Sequence, residues 1–158
     1  MQGKSVARDP HIFVDADACP VKDEIYRVAA RYRLRVHVVT NAFIRVPKDP
    51  LIDLKVVDAG PDVADDWIIE RVSAGDIVVT ADIPLADRAL KSRAFAIAPN
   101  GKPFTPDSIA AALATRAIME HLRSTGDTIG GPKPFASADR SRFLQALDEA
   151  VNRARRAP

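Results

Sequence analysis

The chain has 158 residues, of which 47% are apolar and 28% charged, and its formal net charge is +2. That is the length and composition of one soluble domain with a real hydrophobic core, and the charge is too mild to announce a nucleic-acid partner, although a basic face can hide inside a balanced total. A single cysteine, Cys19, excludes an internal disulfide, "MQGKSVARDP" lacks the apolar core of a signal peptide, and no apolar run approaches a membrane span, so a cytoplasmic protein without membrane attachment is expected.

Residues 1–10 read as a disordered start and residues 11–158 as a single domain. "HIFVD" is a continuous apolar run of the kind buried on both faces of a sheet, ending near Asp15. Val21, Ile25, Val28, Ala29 and Tyr32 then recur at helical spacing, with Pro20 suited to a first helical position, which predicts a helix over roughly residues 20–33. "RVHVVT" is a second strand, the Pro-punctuated "AFIRVPKDPLI" is irregular, and "LKVVD" is a third strand. Gly60 and Pro61 open a helix running to about Ala74, "DIVVT" is a fourth strand, "PLADRALKSR" a short helix and "AFAIA" a fifth strand. "NGKPF" is turn chemistry, and Thr105, Pro106 and Asp107 start a long helix that ends near Gly126. The loop "GDTIGGPKPF", read as a flexible segment over or near a site, leads to a last amphipathic helix using Phe143, Leu147 and Val151. Apolar strands alternating with helices predict a three-layer α/β/α domain with a mostly parallel sheet of about five strands.

In such sheets ligands bind beyond the C-terminal strand edge, at the switch point of the winding order. Asp15 and Asp17 close the first strand, Thr80 and Asp82 close the fourth, and Asp65 lies in the first turn of the helix after the third. Any one of these acids alone is better explained as a helix cap or dipole partner. Asp65 shares a stripe with Ile68, Ile69 and Val72 and so leans toward the sheet, whereas Asp66 shares the polar face of Glu70 and Ser73. Asp62 reads as a cap or first-turn residue, and Asp87 as an outward partner of Lys91.

Together the acids need an energetic reason. Two like charges about 4 Å apart repel by about 4 kcal/mol at an effective dielectric near 20, so gathered carboxylates require either a cation or protonation. Oxygen-only ligands suit Mg²⁺ or Mn²⁺, as one or two ions, and phosphoryl chemistry; scattered His11, His37 and His121 and a lone Cys19 do not suit zinc.

"DADACPVKDE", "TN" before "IRVP", "GPDVADDWI", "VVTADIPLA", "PNGKPFTP" and the late "GGP" with "DRSRF" resemble, in one order from Ile12 to about Val151, the YaiI/YqxD family of uncharacterised bacterial proteins. That family resembles PIN-like domains, a nuclease superfamily with a parallel α/β sheet and an acidic Mg²⁺ or Mn²⁺ site. The resemblance implies a metal-dependent nuclease acting on RNA or single-stranded DNA, with Asp15, Asp65 and Asp82 as metal ligands, Asp17 beside them as a further catalytic acid, and Thr80 as the hydroxyl of a "TxD" pattern. The DxD pair followed by Cys-Pro is the family's own signature rather than the PIN pattern.

Lys22, Asn41 and Arg45 are candidate substrate contacts, with Arg116 and Arg140 further candidates for a nucleic-acid backbone; the competing readings are a solvated lysine, a turn asparagine and salt-bridged arginines. Cys19 reads as a small buried thiol rather than a nucleophile, since Ile25 stands where a cysteine-dependent phosphatase needs arginine. "GDTIGGPK" is not a P-loop, because Pro132 replaces the lysine. Two rival readings are a haloacid-dehalogenase-like phosphotransferase with Asp15 as nucleophile and Asp17 as acid/base, and a non-catalytic nucleic-acid- or protein-binding module. The sequence leaves self-association open.

Overall fold

The continuous apolar runs demand cover on both faces, and the computed structural model, which describes residues 9–17, 19–126 and 134–156, supplies it. The chain order is β1 (Ile12–Asp15), α1 (Lys22–Tyr32), β2 (Val36–Thr40), β3 (Ile52–Val56), α2 (Val63–Arg71), β4 (Ile77–Val79), α3 (Ile83–Lys91), β5 (Phe95–Ile97), α4 (Pro106–Ser124) and α5 (Ser137–Arg156). The five strands form one sheet in the order β3-β2-β1-β4-β5, with every neighbouring pair parallel. The chain winds outward from β1 to β3 and crosses back to place β4 on the other side of β1. The switch point therefore lies between the ends of β1 and β4.

Alternation along the strands splits the core in two. Ile12, Val14, Val36, Val38, Ile77 and Val79 meet Ile25 and Val28 of α1 and Phe143, Leu147 and Val151 of α5. Phe13, Val39, Val78 and Ala96 face the other way, against Ile68 of α2, Leu85 and Ala89 of α3, and Ile109 of α4. The result is the three-layer α/β/α arrangement expected. Beyond Ile109, α4 buries no residue of its length, and Leu113 and Ile118 stay exposed.

Local boundaries differ from expectation for definable reasons. α1 starts at Lys22, not Pro20, because a tight turn comes first, in which Cys19 N–H donates to the Ala16 carbonyl at 3.2 Å; the first helical bond is then Ile25 N–H to Val21 at 3.0 Å. β3 begins at Ile52, two residues before "LKVVD", because its ladder is set by β2: Val36 N–H takes the Leu51 carbonyl at 2.8 Å, and the pairing ends with Thr40 opposite Val56. Gly60 and Pro61 lie in the turn ahead of α2, which opens only after Asp62.

The far end of the chain is locked onto the turn after β5. Gly101 has a φ of +90°, and a Cβ there would sit 2.6 Å from the Arg142 carbonyl carbon, so only glycine lets the turn and α5 approach backbone to backbone. Asp9 pairs with Arg155 at 3.4 Å and Pro10 is buried. The rest of the expected disordered start, and residues 127–133 of the expected flexible loop, lie outside the described residues. Among the described residues no helix is long and apolar enough to cross a membrane.

Candidate active site

The acidic constellation is built around Thr80, the first residue beyond β4. Its buried hydroxyl donates to Asp15 Oδ2 at 2.8 Å and accepts from the Asp82 N–H at 2.9 Å. Parallel neighbours end at the same edge, so the adjacency of β1 and β4 brings these residues together across 65 positions of sequence. Asp82 in turn caps α3, Oδ1 accepting from Leu85 N–H at 2.9 Å, with Pro84 in the first turn where no amide donor is needed.

Asp65 projects from the first turn of α2 into the same region and is buried, as its place on the apolar stripe predicts. Asp66 faces outward and pairs with Arg88 at 2.8 Å. Asp62 precedes the helix in a left-handed conformation, φ 66°, with no side-chain cap bond.

The electrostatics join these acids into one system. Burial pushes the Asp65 carboxyl up to about 6, and the nearby Asp82, Asp15 and Asp62 push the same way against the partial relief of Arg88. Asp15 is also raised, first by burial and then by Asp82 and Asp17, while the Thr80 hydrogen bond opposes the rise. Among the described residues, however, no three His, Cys, Asp or Glu side chains stand together as a ready ligand set, so Asp15, Asp65 and Asp82 share a field without forming a closed metal cage. All-oxygen donors that repel one another suit a hard divalent cation. Mg²⁺ in particular is held through one or two carboxylates, with water and phosphate completing its shell, and needs no dedicated protein cage.

Asp17 is turned the other way. Its Oδ1 lies 2.9 Å from the Thr40 hydroxyl and 3.4 Å from the Asn41 N–H, beyond the end of β2. The Thr40 hydroxyl also lies 2.9 Å from the Ala42 carbonyl and accepts from Ala42 N–H at 3.2 Å. Asn41 thus meets Asp17 through its backbone, and its side chain is exposed.

The candidate cations separate cleanly. The Lys22 ammonium donates to the Cys19 carbonyl at 3.2 Å, bracing the turn that carries the DxD pair. Arg140 donates to the Pro20 carbonyl at 2.7 Å, reaches Glu24 at 3.3 Å and lies over the Phe135 ring, which makes it a tether of α5 to that turn. Arg45 is exposed and in no ion pair among the described residues. Arg116 lies 3.8 Å from Glu120 one turn on, and with Thr115 it shares with Asp82 a cavity of about 630 Å³, open beside the acids. Cys19 is buried, and that burial pushes its thiol up, away from nucleophilic use.

Two contacts are not legible in the sequence: the strand-end "TN" marks Thr40 but not its bond to Asp17, and Asp76 is a buried carboxylate at the opposite edge, accepting from His11 N–H at 2.9 Å and Ser73 N–H at 2.8 Å. Neither spacing nor periodicity marks such tethers.

Comparison with known proteins agrees with this pattern of motifs. The chain is 63% identical to a UPF0178 protein of Caulobacter vibrioides over 146 residues, 92% of this chain and 95% of that one. It is 62% identical to a UPF0178 protein of Azorhizobium caulinodans over 92% of both chains, and 62% identical to one of Sphingopyxis alaskensis over 93% of this chain and 96% of that one. No solved structure matches it. The sequence model described as "Uncharacterized BCR, YaiI/YqxD family" matches residues 13–153, and the chain belongs to that family.

Proposed function

We propose that the protein is a PIN-like, Mg²⁺- or Mn²⁺-dependent nuclease that hydrolyses phosphodiester bonds of RNA or single-stranded DNA. The observation that carries this reading is the gathering of Asp15, Asp65 and Asp82 at the switch point of a parallel sheet, where Asp15 and Asp65 are both raised, first by burial and then by the neighbouring Asp82. Carboxylates that repel one another at the ligand-binding edge are a standing demand for a cation.

When bound, the ion would activate water and stabilise the leaving oxygen. The chain's own residues hold and orient. Thr80 fixes the Asp15 carboxylate through one hydrogen bond and the Asp82 backbone through another, so one hydroxyl positions both residues. The cap bond to Leu85 occupies only Oδ1 of Asp82. Arg116, lining the cavity beside Asp82, is placed to meet a phosphate. Asp17, held on the β2 side by Thr40, is a weaker candidate ligand, and that same restraint disfavours a phosphotransferase with Asp17 as its mobile acid/base.

The test is Mn²⁺ titration by calorimetry together with cleavage of labelled single-stranded RNA and DNA. Binding and cleavage that both disappear in Asp82→Asn support the reading. Cleavage that persists in chelator, or Mn²⁺ binding without cleavage of any strand, overturns it, the second result favouring a non-catalytic module.

A further inference from the structure

An exposed aromatic stands beside this site with no packing role. Phe43 is 78% accessible, although Ile44 and Val46 on either side of Arg45 pack against the core. Burial alternates along the segment, with Ile44 and Val46 half-buried and Phe43 and Arg45 exposed, so Phe43 and Arg45 share the outward face. It begins directly after Thr40 and Asn41, the residues that hold Asp17. A phenylalanine left in water offers a free ring face, and here that face stands next to the acidic edge, where an aromatic ligand can stack on it.

On the other flank, beyond β5, lies an open groove of about 990 Å³ walled by Ile83, Phe104 and Phe135, with Asn100 and Lys102 at its rim. It shares Ala81, Ile83, Ala111 and Ala112 with the cavity that contains Asp82 and Arg116, so the two are continuous. The strand order β2-β1-β4-β5 fixes the sequence of features along the edge: Phe43 and Arg45, then Asp15 and Asp17, then Asp82, then the groove. At about 4.8 Å between strands, the edge from β2 to β5 measures about 14 Å.

We propose that an unpaired polynucleotide strand crosses this edge, one base stacked on Phe43 and another in the groove walled by Phe104 and Phe135, with the intervening phosphate over the acids. Charge complementarity supports that occupant: Arg45, in no ion pair among the described residues, on one flank, and Lys102 with Arg116, the latter 3.8 Å from Glu120, on the other match a polyanion crossing the acidic middle. Stacking on an aromatic requires a base whose face is free, so the arrangement selects single strands over duplex and carries little sequence preference. The inference rests on the nuclease reading for its substrate class, but binding can be read separately from cleavage.

The experiment is fluorescence anisotropy of a short labelled single strand, as RNA and as DNA, with the wild-type protein in chelator and with Asp15→Asn. Phe43→Ala is expected to weaken binding about ten-fold, Phe43→Trp to restore it, and Arg45→Ala to lower the slope of log affinity against log salt by about one. Because Phe43 is exposed, an unchanged melting temperature in Phe43→Ala shows that the loss is one of binding. Equal affinity for duplex, unaltered binding by Phe43→Ala, or a Phe43-dependent self-association seen by light scattering overturns the proposal. Phe43-dependent strand binding without any cleavage leaves it standing while the nuclease reading falls; cleavage indifferent to Phe43 does the reverse.

Discussion

The two aspartates of the DxD pair meet the same device on opposite sides. On the β4 side, Thr80 donates to Asp15 and accepts from the backbone N–H two residues on; on the β2 side, Thr40 does the same for Asp17. What differs is the residue two positions after the threonine. It is Asp82 on the first side, the cap of α3, and Ala42 on the second, in a loop. One side gathers carboxylates with Asp65 closing in from α2; the other holds a single exposed acid. The comparison teaches that the hydrogen-bonded threonine is scaffold, and that a second acid at the right offset turns scaffold into a charged site.

The largest way to break the comparison is to neutralise each aspartate in turn. Asp15→Asn is expected to lower cleavage of a single strand more than about a hundred-fold, and Asp17→Asn only a few-fold, measured as kcat/KM with Mn²⁺. Equal losses would place Asp17 in the same site as Asp15.

The threonines come next. Thr80→Val is expected to cost about 10- to 100-fold in activity by releasing Asp15, the usual scale for a group that orients a ligand. Thr40→Val is expected to leave activity within about two-fold while lowering stability by about 1 kcal/mol in denaturant titration, since Asp17 then loses its hydroxyl donor.

Smaller still is a pH effect. Asp65 is raised to about 6 in the folded protein from 3.8, so the folded state binds more protons between those values and stability falls as pH rises through that window. Asp65→Asn should shrink that fall, leaving the part due to the raised Asp15, and stabilise the metal-free protein by about 1 kcal/mol at neutral pH, the gain being held down by partial solvent screening. Thermal melts of the wild type and of Asp65→Asn from pH 4 to pH 7 decide it, and a stability difference between the two that does not grow in favour of Asp65→Asn with rising pH would refute the electrostatic account, the opposing contributions of lowered Asp139 and His37 being common to both. Least of all, Ala42→Asp gives the β2 side its missing acid; the expected cost is under about 0.5 kcal/mol, recovered at high salt.

Much of this frame could be read from the residues. The apolar runs marked the strands, the rule that loops after parallel strands gather at one edge brought the acids there, and helical phase separated buried Asp65 from Asp66, which pairs with Arg88. Asp87 pairs with Lys91 at 2.8 Å as its spacing implied. What could not be read depends on which strands are neighbours. Only the adjacency of β4 to β1 gives Asp15 its Thr80, and only the adjacency of β2 gives Asp17 its Thr40. Lys22 folding back on Cys19, and Phe43 left outside while Ile44 turns in, were equally invisible, because local pattern states polarity and not partner.

The closure of the domain by α5 has a consequence in time. Phe143, Leu147 and Val151 complete one face of the sheet, and Gly101 seats that helix against the turn after β5. On the ribosome, all the strands and the whole acidic edge are made before these residues emerge, so the growing chain has only α1 to cover that sheet face until α5 docks. A chain stalled before α5 therefore keeps part of its apolar core in water and is a natural client for chaperones and proteases.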